Sequence, residues 1–269
     1  MEILLIFFLG LEFGSFANVC IYRWPRGQSI LSPARSHCPW CDAQISWWEN
    51  IPIFSWFFLR GKCSHCRSEI SLRYPLVELA LPAIWVAGVI AIRQIGVNPS
   101  VPFLFCLGVL FFVLLTTSLC DLDWRIIPDE LSLTLIVVGV LTSFWNPFIN
   151  DGGMARAFLS SLLGMMCGAL PIWLLGITGK SIFGKESMGG GDVKLMAGIG
   201  SVLGWESSLA VLIYASFLGV GAVGVGLVMK ILKRNEYIPF GPFLSVGTLV
   251  EFFLSATGYA FHDILKKIP

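Results

Sequence analysis

Apolar residues fill long unbroken stretches of this chain, and polar residues gather in the gaps between them. Runs of about 20 apolar residues, each able to cross a ~30 Å hydrocarbon core as a helix, occur from Ile3 to Ile21 and then at 75–93, 101–120, 130–148, 156–178, 193–205, 208–229 and 242–260. A membrane barrel would instead show short segments with a period of two, so the runs are read as helices. The pattern predicts an all-α polytopic membrane protein with about eight transmembrane helices. The 193–205 run is short for a span and is expected to tilt, to be capped by protein, or to be re-entrant. No basic stretch precedes the first run and no small-residue cleavage site follows it, so 1–22 is expected to be a retained first transmembrane helix.

The pattern breaks sharply once. Between Arg23 and Tyr74 there are seven Lys and Arg, four Cys and no run long enough to cross a membrane. This extramembrane insert, 23–74, is too small to bury much of a core without a staple. The multi-helix part, 75–269, follows it.

Composition agrees with the membrane reading: 56% hydrophobic and 13% charged residues, with a mean hydropathy of +0.79, exclude a soluble domain of this length. The net charge of +1 points to no nucleic-acid partner. Its distribution is more informative. If the insert is cytosolic, alternation places 14 basic residues on or bordering its side, among them Arg125, Lys180, Lys185, Lys194, Lys230, Lys233 and Arg234. The opposite side has Arg93, Arg156, Lys266 and Lys267. This positive-inside bias predicts a cytosolic insert. Gly198, Gly200 and Gly204, and then Gly219, Gly221, Gly224 and Gly226, are read as small residues at helix contacts.

Four of the eight cysteines, Cys20, Cys106, Cys120 and Cys167, lie in or beside apolar runs and read as small buried hydrophobes. The others form two C-x-x-C knuckles, Cys38 with Cys41 and Cys63 with Cys66. Two such knuckles supply the four thiolates of a tetrahedral structural Zn²⁺, which would be the insert's staple. A reducing cytosol disfavours two disulfides instead, and one redox motif would not need both knuckles. His37 and His65 flank the knuckles, but four thiolates already complete the shell.

Carboxylates at the edges of membrane segments are costly and point to function. Asp192 follows Gly189, Gly190 and Gly191, whose missing side chains let a backbone come close. Asp121 is the deepest of three acids after the 101–120 run. Asp123 lies about 200° further round a helix. Asp129, after Pro128, suits a helix start, where an acid needs no chemical role. Asp121 and Asp192 are therefore expected to share a proton and activate a water for peptide cleavage, with Asp129 as the alternative partner. Glu12, Glu78 and Glu251 are the other acids within apolar runs. No zincin, Walker or nucleophile-elbow motif is present.

Several stretches in order along the chain carry a family resemblance. They are Gly14-Ser15-Phe16-Ala17-Asn18-Val19 with Arg23 and Pro25, the two knuckles, Glu49-Asn50-Ile51-Pro52, Gly61-Lys62-Cys63 and Arg73-Tyr74-Pro75-Leu76-Val77-Glu78. Asp121-Leu122-Asp123, Pro128-Asp129, Gly189-x-Gly191-Asp192 and Pro239-Phe240-Gly241-Pro242 complete the set. The chain resembles the bacterial prepilin leader peptidases, GxGD-type aspartic proteases, although Gly190 stands where the family carries a bulkier residue. The resemblance implies an enzyme of the bacterial inner membrane, active at the cytosolic face, in type IV pilus or type II secretion systems. Such an enzyme removes the basic leader of a prepilin or pseudopilin after a glycine. It then N-methylates the new amino terminus with S-adenosylmethionine. The catalytic aspartates carry over onto Asp121 and Asp192, and the zinc ligands onto Cys38, Cys41, Cys63 and Cys66. The resemblance does not place the methyl-donor residues. By economy of surface, the folded insert is expected to serve methylation, with Glu49, Asn50, Lys62 and Glu78 as polar residues near its junction. Two other classes remain open on the residues alone: a thiol redox carrier, and a channel using both carboxylates in an ion path.

Overall fold

A computed structural model describes residues 1–32, 35–150, 152–184, 188–230 and 238–258. Lys185, Lys233, Arg234, Lys266 and Lys267 of the charge count lie outside the described residues. The chain divides into two compact units, Met1–Ala87 and Gly88–Pro269.

In the first unit, α1 (Glu2–Arg23) packs on the early turns of α3 (Arg73–Gln94), with a short α2 (Phe54–Phe58) between them in sequence. Small residues bring the two long helices together. A Cβ on Gly10 would lie 2.6 Å from Pro82 Cα, and one on Gly14 would lie 2.8 Å from Glu78 Cα. Asn18 Nδ2 donates to the Tyr74 carbonyl at 3.1 Å, fixing the register. The insert between them is built from two matching knuckles, each closed by one antiparallel bridge, His37 with Gln44 and Lys62 with Glu69. Asp42 and Arg67 take positive φ at equivalent places, so the second knuckle repeats the first.

The second unit holds α4 (Val101–Trp124), α5 (Asp129–Thr142), α6 (Met154–Phe183), α7 (Gly190–Val228) and α8 (Gly241–Ala256). Its core is centred on α4, where Phe103, Leu107, Leu110 and Phe111 are fully buried. Phe111 meets Phe252 edge to face, with ring centroids 5.2 Å apart.

The molecule is an all-helical multi-pass membrane protein, and five of its described helices, α1, α3, α4, α6 and α7, are long and apolar enough to cross a membrane. The sequence pattern predicts about eight spans; α8, with 16 residues, is one helix too short to be counted, and two further local features account for the rest of the difference. First, the run expected over 130–148 is helical only to Thr142, because Pro147 disfavours helix in the residue before it. Asn146 anchors the exit, donating to the Val202 carbonyl at 2.6 Å and accepting from Phe148 N–H at 2.9 Å. Second, the runs over 193–205 and 208–229 join in α7, which is broken at Gly204 (φ 83°, ψ 179°). A Cβ on Gly200 would lie 2.8 Å from Ser208 Oγ. Eight residues of straight helix rise about 12 Å, so the chain folds back sharply at Gly204. The first part of α7 runs antiparallel to α6, with Gly164 against Gly200 and Gly168 against Met196. The second part runs antiparallel to α8, with Gly247 against Val211 and Ala215.

Close packing was expected at two sets of glycines and is found fully at one. Gly198, Gly200 and Gly204 sit at tight contacts, whereas a Cβ on Gly219 would meet Phe243 no closer than 3.6 Å. Gly221 and Gly224 have no described atom within 4 Å of a modest side chain. Sequence spacing alone does not separate a buried small-residue face from an open one.

Candidate active site and metal centre

The α4 helix ends when Arg125 takes a left-handed conformation (φ 57°, ψ 38°), its N–H donating to the Asp121 carbonyl. Pro128, which has no N–H to lose, then introduces α5. Between these points Ile127 projects into the gap between two other helix starts. A Cβ on Gly191 would lie 2.8 Å from Ile127 Cβ, and one on Gly241 would lie 3.3 Å from Ile127 Cδ1. The end of α4 and the beginnings of α7 and α8 thus converge on one spot.

Asp121 and Asp192 meet there, 3% and 4% exposed. Asp121 Oδ2 accepts the Gly241 N–H at 2.8 Å, and Asp192 Oδ2 accepts the Gly189 N–H at 3.3 Å. Both donors belong to the unpaired set at a helix N-terminus, which also carries a partial positive charge. Gly191, next to Asp192, and Gly241, which bonds Asp121, both press on Ile127, and this shared contact brings the two carboxylates to one spot. Asp192 Oδ1 is buried and has no hydrogen-bond partner among the described residues. The other two acids of the cluster are elsewhere: Asp123 is exposed, and Asp129 is bonded by Lys194 Nζ at 2.6 Å on the surface.

Of the three motif glycines, Gly191 is pressed against Ile127, Gly189 stands 3.4 Å from Asp192 Oδ2 as measured from a built Cβ, and Gly190 faces open space. The Ile127 wedge and the Gly241 bond to Asp121 are contacts that neither the burial of the acids nor their spacing along the chain predicts. A glycine held between Phe240 and Pro242 at the start of an apolar run was the available signal for a backbone approach. Among the remaining buried acids, Glu251 accepts from Ser207 Oγ at 2.9 Å and Ser255 Oγ at 3.2 Å, a pairing inside the bundle.

In the first unit the sulfur atoms of Cys38, Cys41, Cys63 and Cys66 all lie within 4.8 Å of one another. Cys38 and Cys66 are 3.8 Å apart, close to the ~3.8 Å edge of a tetrahedron with Zn–S bonds of about 2.3 Å. The Ser68 hydroxyl and backbone N–H hold the Cys66 thiol down at about 6, which favours the ligating thiolate. The residues present fit a structural zinc ion. Neither His37 nor His65 joins the thiol cluster, and His65 Nδ1 shares a hydrogen bond with Ser64 Oγ at 2.9 Å.

Beside the cluster is a cavity of about 800 Å³ whose walls include Asn18, Trp40, Glu49, Asn50, Tyr74 and Glu78. Glu78 is buried and accepts the Ile53 N–H at 2.7 Å. Ile53 itself is held at φ 66°, ψ −53°, in a strained three-residue γ-turn closed by the Phe54 N–H donating to the Pro52 carbonyl at 2.7 Å.

Fold and site together define a polytopic membrane protein with a buried acidic pair at converging helix ends and a thiol cluster shaped for zinc. Comparison with known families matches residues 8–92 to the bacterial peptidase A24 N-terminal domain and residues 108–224 to the type IV leader peptidase family. The chain is 36% identical to a prepilin leader peptidase/N-methyltransferase of Aeromonas hydrophila, over 90% of this chain and 87% of that one. It is 35% identical to the Stutzerimonas stutzeri protein of the same name, over 89% and 86%, and 36% identical to that of Neisseria gonorrhoeae, over 91% and 87%. The chain belongs to the prepilin leader peptidase/N-methyltransferase family. No solved structure matches it.

Proposed function

We propose that this chain removes the basic leader of type IV prepilins or type II secretion pseudopilins after a glycine and methylates the amino terminus so exposed. The observation that carries the peptidase half is the unbonded, buried Oδ1 of Asp192 beside a second buried carboxylate, Asp121. Leaving a buried polar atom unpaired costs on the order of 1–3 kcal/mol, so the site is suited to an incoming donor such as a water. Two neighbouring carboxyls hold one proton between them. The ionised member takes a proton from the water as its oxygen attacks the scissile carbonyl, and the protonated member passes its proton to the departing nitrogen. The C–N bond breaks, the hydroxyl stays on the leader's new carboxyl group, and the amine leaves with the proton. The N–H groups of Gly241 and Gly189 hold both carboxylates in place throughout, which is a positioning contribution.

The orientation of the chain supports a site at the cytosolic face of the bacterial inner membrane. Antiparallel pairing of α7 with α6 and α8 around the Gly204 turn brings the end of α4 and the starts of α7 and α8 together, and the distribution of basic residues puts that end on the cytosolic side. For the second reaction, bound S-adenosylmethionine supplies an electrophilic methyl group. The chain's own task is to hold a neutral amine in line with it and accept the proton released. The four cysteines hold zinc as a staple that lets the insert fold.

The test is to incubate detergent-solubilised protein with a prepilin, with and without S-adenosylmethionine, and weigh the products. The expected outcome is a product without its leader, heavier by one methyl group only when the donor is added. Uncleaved prepilin under both conditions would overturn the reading.

A further inference from the structure

We infer that the 800 Å³ cavity within Met1–Ala87 is the methyl-donor site, with the carboxyl groups of Glu49 and Glu78 as its polar recognition groups and the Trp40 ring as an aromatic wall. This rests on the methyltransferase reading above.

Three observations converge on the cavity. The first is size, since small-molecule sites occupy about 300–1,000 Å³. The second is charge. Four carboxylates, Asp42, Glu49, Glu69 and Glu78, line it against a single guanidinium, that of Arg23. Arg23 is turned to loop carbonyls, those of Ser29 at 3.3 Å, Ile30 at 3.2 Å and Arg35 at 3.4 Å. Hydrogen bonds from the Ser64 side chain and from Ser46 hold the Glu49 carboxyl below its usual range, so it is charged at neutral pH. A site this acidic suits a small cation, and a sulfonium nucleoside also offers a ribose diol, which carboxylates bind, and a flat base and cationic centre, which aromatic faces bind.

The third observation is which residues the peptidase chemistry leaves unused. Ser15 and Asn18, Glu49 and Asn50, and Tyr74 and Glu78 come from three separate stretches that carry the family resemblance, and all six line this one cavity. None belongs to the unit that carries Asp121 and Asp192. The wall is also positioned at a cost. An isoleucine at positive φ is strained by about 1–3 kcal/mol, and here the strain turns the Ile53 N–H onto Glu78 Oε2 and fixes that carboxylate.

The test uses the full-length, zinc-loaded protein in detergent. Labelled S-adenosylmethionine is cross-linked by ultraviolet light and the labelled peptides are mapped, while calorimetry with S-adenosylhomocysteine gives the affinity. The expected result is one donor per chain, with label in peptides from 36–78. Glu49→Gln, which keeps the capping hydrogen bond because glutamine also serves there, should weaken binding by about tenfold or more, the scale of losing a charge-assisted hydrogen bond. Trp40→Ala should do the same, and the residue is 78% exposed, so its loss leaves the core intact. Zinc content confirms that each variant is folded. Label confined to 88–269, or wild-type affinity in both zinc-loaded variants, would overturn the assignment. So would displacement of the donor by a basic leader peptide bound in its place, which would make the cavity a leader site. Methylation with label elsewhere refutes only the cavity, whereas neither donor binding nor methylation by the wild type refutes the methyltransferase reading itself.

Discussion

Asp192 is a carboxylate with one oxygen held and the other open, and its neighbour Asp121 has one oxygen held in the same way. Replacing either by asparagine keeps the shape and removes the proton cycle, so Asp121→Asn and Asp192→Asn are each expected to slow leader removal by about 10²–10⁴-fold, read on a gel of prepilin digests. Asp129→Asn should lose only an exposed ion pair with Lys194, worth about 0–1 kcal/mol, and cleave normally. Glycine substitutions divide by space rather than by motif. Gly191→Ala would drive a methyl group into Ile127, and Gly241→Ala would drive one to within 2.8 Å of Asp121 Oδ2, so both should lower cleavage sharply. Gly190→Ala meets open space and should cleave near the wild-type rate. The acids were legible in the sequence because a carboxylate at the edge of an apolar run is costly wherever it sits. The partners were not, since a backbone N–H leaves no trace in residue identity and Ile127 reads as any apolar loop residue.

Among the elements, the hydrophobic runs located α1, α3 and α4 closely, with α1 ending at Arg23 and α3 beginning at Arg73. The apolar runs over 193–205 and 208–229 are separated by Glu206 and Ser207, and the chain reverses at this break, at Gly204, whose backbone accepts φ 83°. What hydropathy did not record is which residue turns the chain, since Gly204 is one of several glycines in the stretch. The reversal depends on the close approach of α6, where a Cβ on Gly164 would collide with the Gly200 carbonyl and one on Gly200 with that of Gly164. Ser161 Oγ donates to the Ser201 carbonyl at 2.8 Å in the same seam. Gly200→Ala must therefore push α6 and α7 apart. The expected loss is about 1–3 kcal/mol, as for other overpacked cores, measurable as a lower midpoint in denaturant. Gly221→Ala, with no described neighbour, should leave the midpoint unchanged or raise it slightly through helix propensity.

For the molecule as a whole, the acidic pair and the thiol cluster lie in different compact units, and on the reading proposed above the cysteine-bearing insert takes its fold from bound zinc. The insert has two isolated bridges and few buried apolar residues, so the cross-link between its knuckles is what closes it. Each knuckle was legible from its C-x-x-C spacing. Their equivalence was not, because it lies in backbone bonds such as Cys38 N–H to the Ala43 carbonyl at 2.9 Å and Cys63 N–H to the Ser68 carbonyl at 2.9 Å. One ion bound by both knuckles makes the loss of any thiolate a loss for the pair. Elemental analysis of the purified protein is expected to give about one zinc per chain. Cys63→Ser should lower that occupancy and make the insert sensitive to protease between 26 and 72, while the helices of the second unit stay protected. Strong chelation of the wild type should reproduce the same cleavage pattern. Zinc-free protein with a protease-resistant insert would show instead that the knuckles hold by their backbone bridges alone.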